Sequence, residues 1–206
     1  MSRLASALLH PAAKWLLFCV AVMPCVWLVY GAFTAQLGPN PAETLIRSTG
    51  ELAIRFLCFT LTITPLRVMT AQPAWLRFRR MLGLFTFFHA ALHLLCYSAF
   101  DMEFELADIV QDVLKRPFIL VGMLAFLLLL PLALTSFNRA IRALGAPRWR
   151  HLHRAVYAVA VLAVLHFFWM RAGKNNFGDV AIYGGVLALL LGWRVVHAVR
   201  ARHSLR

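Results

Sequence analysis

Long apolar runs broken by short polar stretches set the pattern of this chain. Six such runs stand out, at about Trp15 to Ala35, Glu51 to Met69, Met81 to Phe100, Pro117 to Phe137, His151 to Met170 and Asp179 to Val199. Each approaches the length of about 20 residues that a helix needs to cross a bilayer. No alternation with a period of two recurs, which argues against a barrel. The pattern therefore predicts an all-α integral membrane protein, a six-transmembrane-helix bundle. The connections are short, so sequential helices are expected to run antiparallel. With no repeat, low-complexity tract or large insertion, residues 1–206 read as a single transmembrane domain. Arg3 and Lys14 before the first run resemble a signal peptide, but the run exceeds the usual apolar core and no clean cleavage site follows. It reads as a retained helix with a kink at Pro24.

Composition agrees with that pattern. The chain is 62% hydrophobic and only 14% charged, against about half apolar and a quarter charged in soluble domains. Its net charge of +13 raises nucleic acid as a partner, yet the basic residues cluster between apolar runs, where topology accounts for them. No nucleic-acid binding is expected. Fifteen Arg and Lys fall at the N-terminus, in the 67–80 and 138–154 loops and at the C-terminal end, and six on the other side. The positive-inside rule then places both termini in the cytoplasm. The four cysteines, Cys19, Cys25, Cys58 and Cys96, form no C-x-x-C or C-x-x-C-H motif and read as small apolar side chains.

Candidate chemistry lies in the histidines. His10, His197 and His203 sit near helix ends, where polar groups are tolerated. His89, His93 and His166 lie inside runs, where an ionisable side chain is costly and by default faces the bundle interior with a partner. Counting from Arg80 and Arg150 at about 1.5 Å per residue puts His93 about 20 Å and His166 about 24 Å along their helices. Two imidazoles at similar heights on two helices suit bis-imidazole haem. Hydrogen bonds that cross-link helices are the other reading, and zinc is a third. His153 lies near the inner surface. On an ideal helix it stands roughly 140° from His166, whereas His151 stands roughly 60° away and rivals it as an inner ligand. His89, one turn from His93, is a rival or a supporting group.

Three stretches carry a resemblance: "GELAIRFLCFTLTITPLR", "RRMLGLFTFFHAALH" and "RWRHLHRAVYAVAVLAVLHFFW". They resemble the MsrQ family, haem-binding membrane subunits of bacterial periplasmic methionine sulfoxide reductase systems, within the ferric-reductase-like transmembrane superfamily. The resemblance spans essentially the whole chain. It implies haem b, one or two per chain, with His93, His153 and His166 as axial ligands to the iron and His151 and His89 ranked below them. The third helix departs from the two-level pattern of related oxidases, since Arg79 and Arg80 stand where a lower histidine is expected. The partner of His153 is thus open. The resemblance further implies a multi-pass protein of the bacterial inner membrane that takes electrons from quinol. It delivers them to a periplasmic molybdopterin-containing methionine sulfoxide reductase that repairs oxidised proteins. Such a subunit has no sulfoxide-reducing active site of its own. FMN and a cytosolic flavin reductase are associated with the family as well. No dinucleotide-binding glycine motif occurs in the chain, so an electron donor is expected to be membrane-borne or a separate flavoprotein.

Two further readings compete with this one. A stand-alone ferric or cupric reductase uses the same haem path, and a non-redox transporter or assembly factor uses the histidines only as cross-links. Arg77, Arg79, Arg80, Arg150 and Arg154 are candidates for haem propionates or quinone oxygens, with topology as their alternative role. The outer stretch "FDMEFELADIVQD" reads as a docking site for a partner or as a short amphipathic helix.

Overall fold

The computed structural model describes residues 3–173 and 175–203. Lys174 and Arg206, both counted among the basic residues above, lie outside them, as do the side chains of Arg202 and His203. The described chain is helical throughout, with no strand among the described residues. Six of its helices are long and apolar enough to cross a membrane. The chain forms two compact units, Met1–Asp112 and Val113–Arg206.

The first unit contains α1 (Arg3–Leu9), α2 (Pro11–Phe33), α3 (Pro41–Met69), a 3₁₀ turn (Pro73–Trp75) and α4 (Leu76–Phe100). It also includes most of α5 (Leu106–Lys115). Its centre is the pairing of α3 with α4, into which Leu52, Phe56, Ile63, Phe78, Leu82 and Phe85 are buried. Trp15, Leu16, Met23 and Trp27 on α2 point outward. In water so many exposed large apolar side chains would be a liability, whereas in lipid they match the solvent.

α3 begins ten residues before the expected Glu51. Asn40 caps it, its side-chain oxygen accepting from the Glu43 N–H at 3.2 Å, and Pro41 occupies the first turn, where a missing N–H costs nothing. The polar extension is held by pairs at i and i+4, Glu43 with Arg47 and Glu51 with Arg55. α4 likewise begins at Leu76 rather than Met81, so Arg77, Arg79 and Arg80 are helical. Hydropathy marks what lies in lipid, and these helices continue past it. Arg77 reaches the end of α1, donating to the Leu8 carbonyl at 2.7 Å, which occupies it as a cap for carbonyls that the helix leaves over.

The second unit contains α6 (Pro117–Leu134), α7 (Asn138–Leu144), α8 (Ala146–Leu152), α9 (Ala155–Ala172) and α10 (Gly178–His203). α6 packs along α9, and α10 returns against α9. Leu129, Leu132, Val159, Ala160 and Leu187 are buried here. Arg171, buried at the end of α9, pairs with Asp179 in the first turn of α10 at 3.3 Å and lies over the Phe167 ring.

The span expected from His151 to Met170 is interrupted. α8 ends at Leu152 and α9 starts at Ala155. Between them Arg154 donates to the His151 carbonyl, Val156 to that of His153 and Tyr157 to that of Arg154. These are i→i+3 bonds, the 3₁₀ pattern, in which each residue advances about 120° rather than about 100°. Three such steps add about 60° and bring the offset of His153 from His166 down from about 140° to about 80°.

Candidate haem-ligand site

His93 stands on α4 against the N-terminal part of α3. Its Nδ1 lies 2.8 Å from the Ile46 carbonyl oxygen. His166 stands on α9 against the first turn of α6, with Nδ1 2.6 Å from the Phe118 carbonyl oxygen. A carbonyl only accepts, so Nδ1 donates in both cases. Each neutral ring is thereby fixed as the Nδ1–H tautomer, and its lone pair sits on Nε2. An axial histidine needs this arrangement, because the hydrogen bond at one nitrogen orients the ring and raises the basicity of the other.

Both rings rest on glycines. A Cβ placed on Gly50 would meet His93 Nδ1 at 3.1 Å and Cε1 at 3.2 Å. On Gly122 it would meet His166 Nδ1 at 2.7 Å and Cε1 at 2.8 Å. The two units therefore build the same local arrangement, a histidine on one helix bonded to a carbonyl four residues before a glycine on the next. The amino-acid sequence shows no repeat, yet the geometry recurs.

The remaining histidines have other surroundings. His153, at the end of α8, has Nε2 3.2 Å from Thr135 Oγ1, and its ring lies 4.0 Å from that of Trp149. The Thr135 hydroxyl donates to the Pro131 carbonyl at 2.7 Å, so its oxygen accepts from His153. That makes Nε2 the protonated nitrogen of His153, opposite to the other two. Trp149 donates to the Thr135 carbonyl at 2.9 Å and braces the same corner.

His151 is exposed on α8. His89 is fully buried on α4, stacked on Phe56 and edge-on to Phe88. Neither of its ring nitrogens meets a hydrogen-bond partner among the described residues. His10 caps α2 by accepting from the Ala12 N–H, and His197 stacks on Trp193.

No three His, Cys, Asp or Glu among the described residues come together to hold a metal ion. What His93 and His166 offer is one imidazole nitrogen each. Such donors suit an iron that already carries its other ligands in a macrocycle, so the residues present fit haem. All four cysteines are free thiols. The two glycines and the two acceptor carbonyls escaped the reading of the sequence. An isolated glycine inside an apolar helix is a signal of close packing, but the sequence does not say what packs there.

The model of the ferric reductase like transmembrane component matches residues 49–164. A protein-methionine-sulfoxide reductase heme-binding subunit MsrQ from Polaromonas naphthalenivorans is 61% identical, over 95% of this chain and 90% of its own. Proteins of the same name from Bordetella pertussis and Herminiimonas arsenicoxydans are 49% and 47% identical. These cover 94% and 92% of this chain, and 93% and 87% of their own. On these matches and six membrane-length helices, the chain belongs to the ferric-reductase-like transmembrane family, in its MsrQ branch.

Proposed function

We propose that this protein is a haem b electron-transfer subunit of the inner membrane, with both termini cytoplasmic. It receives electrons from quinol and passes them to a periplasmic molybdopterin-containing methionine sulfoxide reductase. The observation that carries the reading is the shared Nδ1–carbonyl bond of His93 and His166, which turns a nitrogen lone pair of each ring into a directed ligand. Relatives named as heme-binding subunits of protein-methionine-sulfoxide reductase, similar over nearly the full chain, support the cofactor and the repair system.

Haem, when bound, supplies a one-electron couple, and the protein sets its position and potential through axial ligands and burial. His93 and His166 would hold it through Nε2. The Ile46 and Phe118 carbonyls hold the rings in orientation. His153 serves as a further ligand only by exchanging its bond to Thr135, so it ranks behind the other two.

Absorption spectra of the purified protein test the reading. A b-type spectrum with low-spin bands is expected, and His93→Ala and His166→Ala should each abolish the low-spin form of a haem. Full low-spin haem in both variants would overturn the ligand pair. Rapid reduction of ferric chelates without any partner would favour a stand-alone reductase.

A further inference from the structure

We propose that Gly50 and Gly122 are positioning residues whose missing side chains open the Ile46 and Phe118 carbonyls to His93 and His166. The proposal rests on reading those histidines as ligands and names what fixes them. In an α-helix the carbonyl of residue i points toward residue i+4, and the Cβ of residue i+4 leans back over that same turn. A side chain there screens the carbonyl from a neighbouring helix. Gly50 follows Ile46 by four, and Gly122 follows Phe118 by four. In both places the histidine ring occupies the volume that a Cβ would take. Each carbonyl has two lone pairs, so it serves the helix and the imidazole together. The same four-residue offset occurs independently in the two units, which general helix packing does not demand.

The arrangement sets a graded expectation. At Gly122 the ring atoms stand 2.7 and 2.8 Å from a Cβ, and the ring must move. At Gly50 the distances are 3.1 and 3.2 Å, and a smaller shift suffices. Gly122→Ala is therefore the more disruptive substitution.

The test uses full-length protein labelled with ¹⁵N-histidine and reduced with dithionite, so that low-spin iron is diamagnetic. Nitrogen spectra report the tautomer whether or not haem is present. His93→Ala and His166→Ala assign the two protonated Nδ1 signals. Gly122→Ala should lose the His166 signal and retain haem about tenfold less tightly or worse, as the loss of a hydrogen bond that orients a ligand does. Gly50→Ala should weaken the His93 signal with a smaller loss. Gly83→Ala and Gly185→Ala, where an added Cβ meets ordinary contact or open space, should change neither.

Intact signals in both glycine variants overturn the proposal, and so do equal losses in the two controls. If Gly122→Ala fails to fold, adding His166→Ala should restore it by removing the clash, and continued misfolding counts against the proposal. If the histidine variants keep low-spin haem while the glycine variants lose their Nδ1 signals, the ligand reading fails and the glycine role stands.

Discussion

Phe56 and His89 lie face to face, with ring centroids 5.1 Å apart and planes within 10°. The pair joins α3 to α4 at the most buried imidazole described, one turn from His93. Stacking accounts for the contact, but polar nitrogens that meet no partner among the described residues cost about 1–3 kcal/mol each inside apolar walls. His89→Leu should therefore leave the melting temperature of the detergent-solubilised protein unchanged or raise it. His89→Ala should lower stability by on the order of 2 kcal/mol through the cavity it leaves. Thermal melts of the two variants check this order. A large loss in His89→Leu would instead mean that the imidazole is needed for itself.

Arg171 and Asp179 close the α9–α10 connection. The guanidinium side chain is 9% exposed and the carboxylate 46%. Removing one partner of a fully buried pair costs about 3–5 kcal/mol. Half-exposure of Asp179 screens the pair, so Asp179→Ala should cost about 1–2 kcal/mol. Arg171→Met should cost less than Asp179→Ala, because it leaves no buried charge behind. Melting of both variants beside the parent gives the order.

Tyr97 donates to the Asp112 carboxylate at 2.7 Å and ties α4 to α5. α5 turns Leu106, Val110 and Leu114 outward as one apolar stripe, i to i+4 to i+8, with acids on its other positions. The acidic stretch forms a helix with one apolar face, and such a helix is also able to dock a partner. Tyr97→Phe should raise hydrogen exchange across residues 106–115 about tenfold or more, since a bond to a charged group contributes about 1.5–3 kcal/mol. Haem spectra should not change. Exchange mass spectrometry of the parent and the variant decides it.

His151 and His153 differ sharply despite lying two residues apart. His151→Ala, at an exposed position, should change stability by no more than about 0.5 kcal/mol and leave haem content intact. His153→Ala should destabilise the α8–α9 joint through loss of the Thr135 bond and the Trp149 contact. Thr135→Val should weaken the same corner. Haem-to-protein ratios and melts of the three variants separate a structural role of His153 from ligation, because only ligation ties haem loss to His153→Ala.

The six spans were legible because hydropathy averages over many residues and does not depend on what each one meets. Their ends were less so. Glu43 and Arg47 look like loop until their i,i+4 pairing is seen, and the cap at Asn40 then explains the longer helix. That His93 and His166 each meet a partner on another helix could be read from the cost of burying an imidazole. Their tautomers could not, since the acceptors are main-chain atoms brought close only by helix pairing. The joint between His153 and His166 was not legible either, because the apolar pattern runs through the 3₁₀ bonds without a break. Gly50 and Gly122 were invisible for the plainest reason, that their contribution is an absent atom.

The use of main-chain acceptors separates function from side-chain identity. Ile46 and Phe118 provide the atoms that hold the imidazoles, yet substitution at either position leaves a carbonyl in place. Evolution can vary those residues to suit the surrounding lipid without touching the bond. The constraint moves one helical turn along, to positions 50 and 122, where any change adds bulk. Genetic screens for loss of haem should find hits, beside the histidines themselves, at two residues that have no side chain to offer.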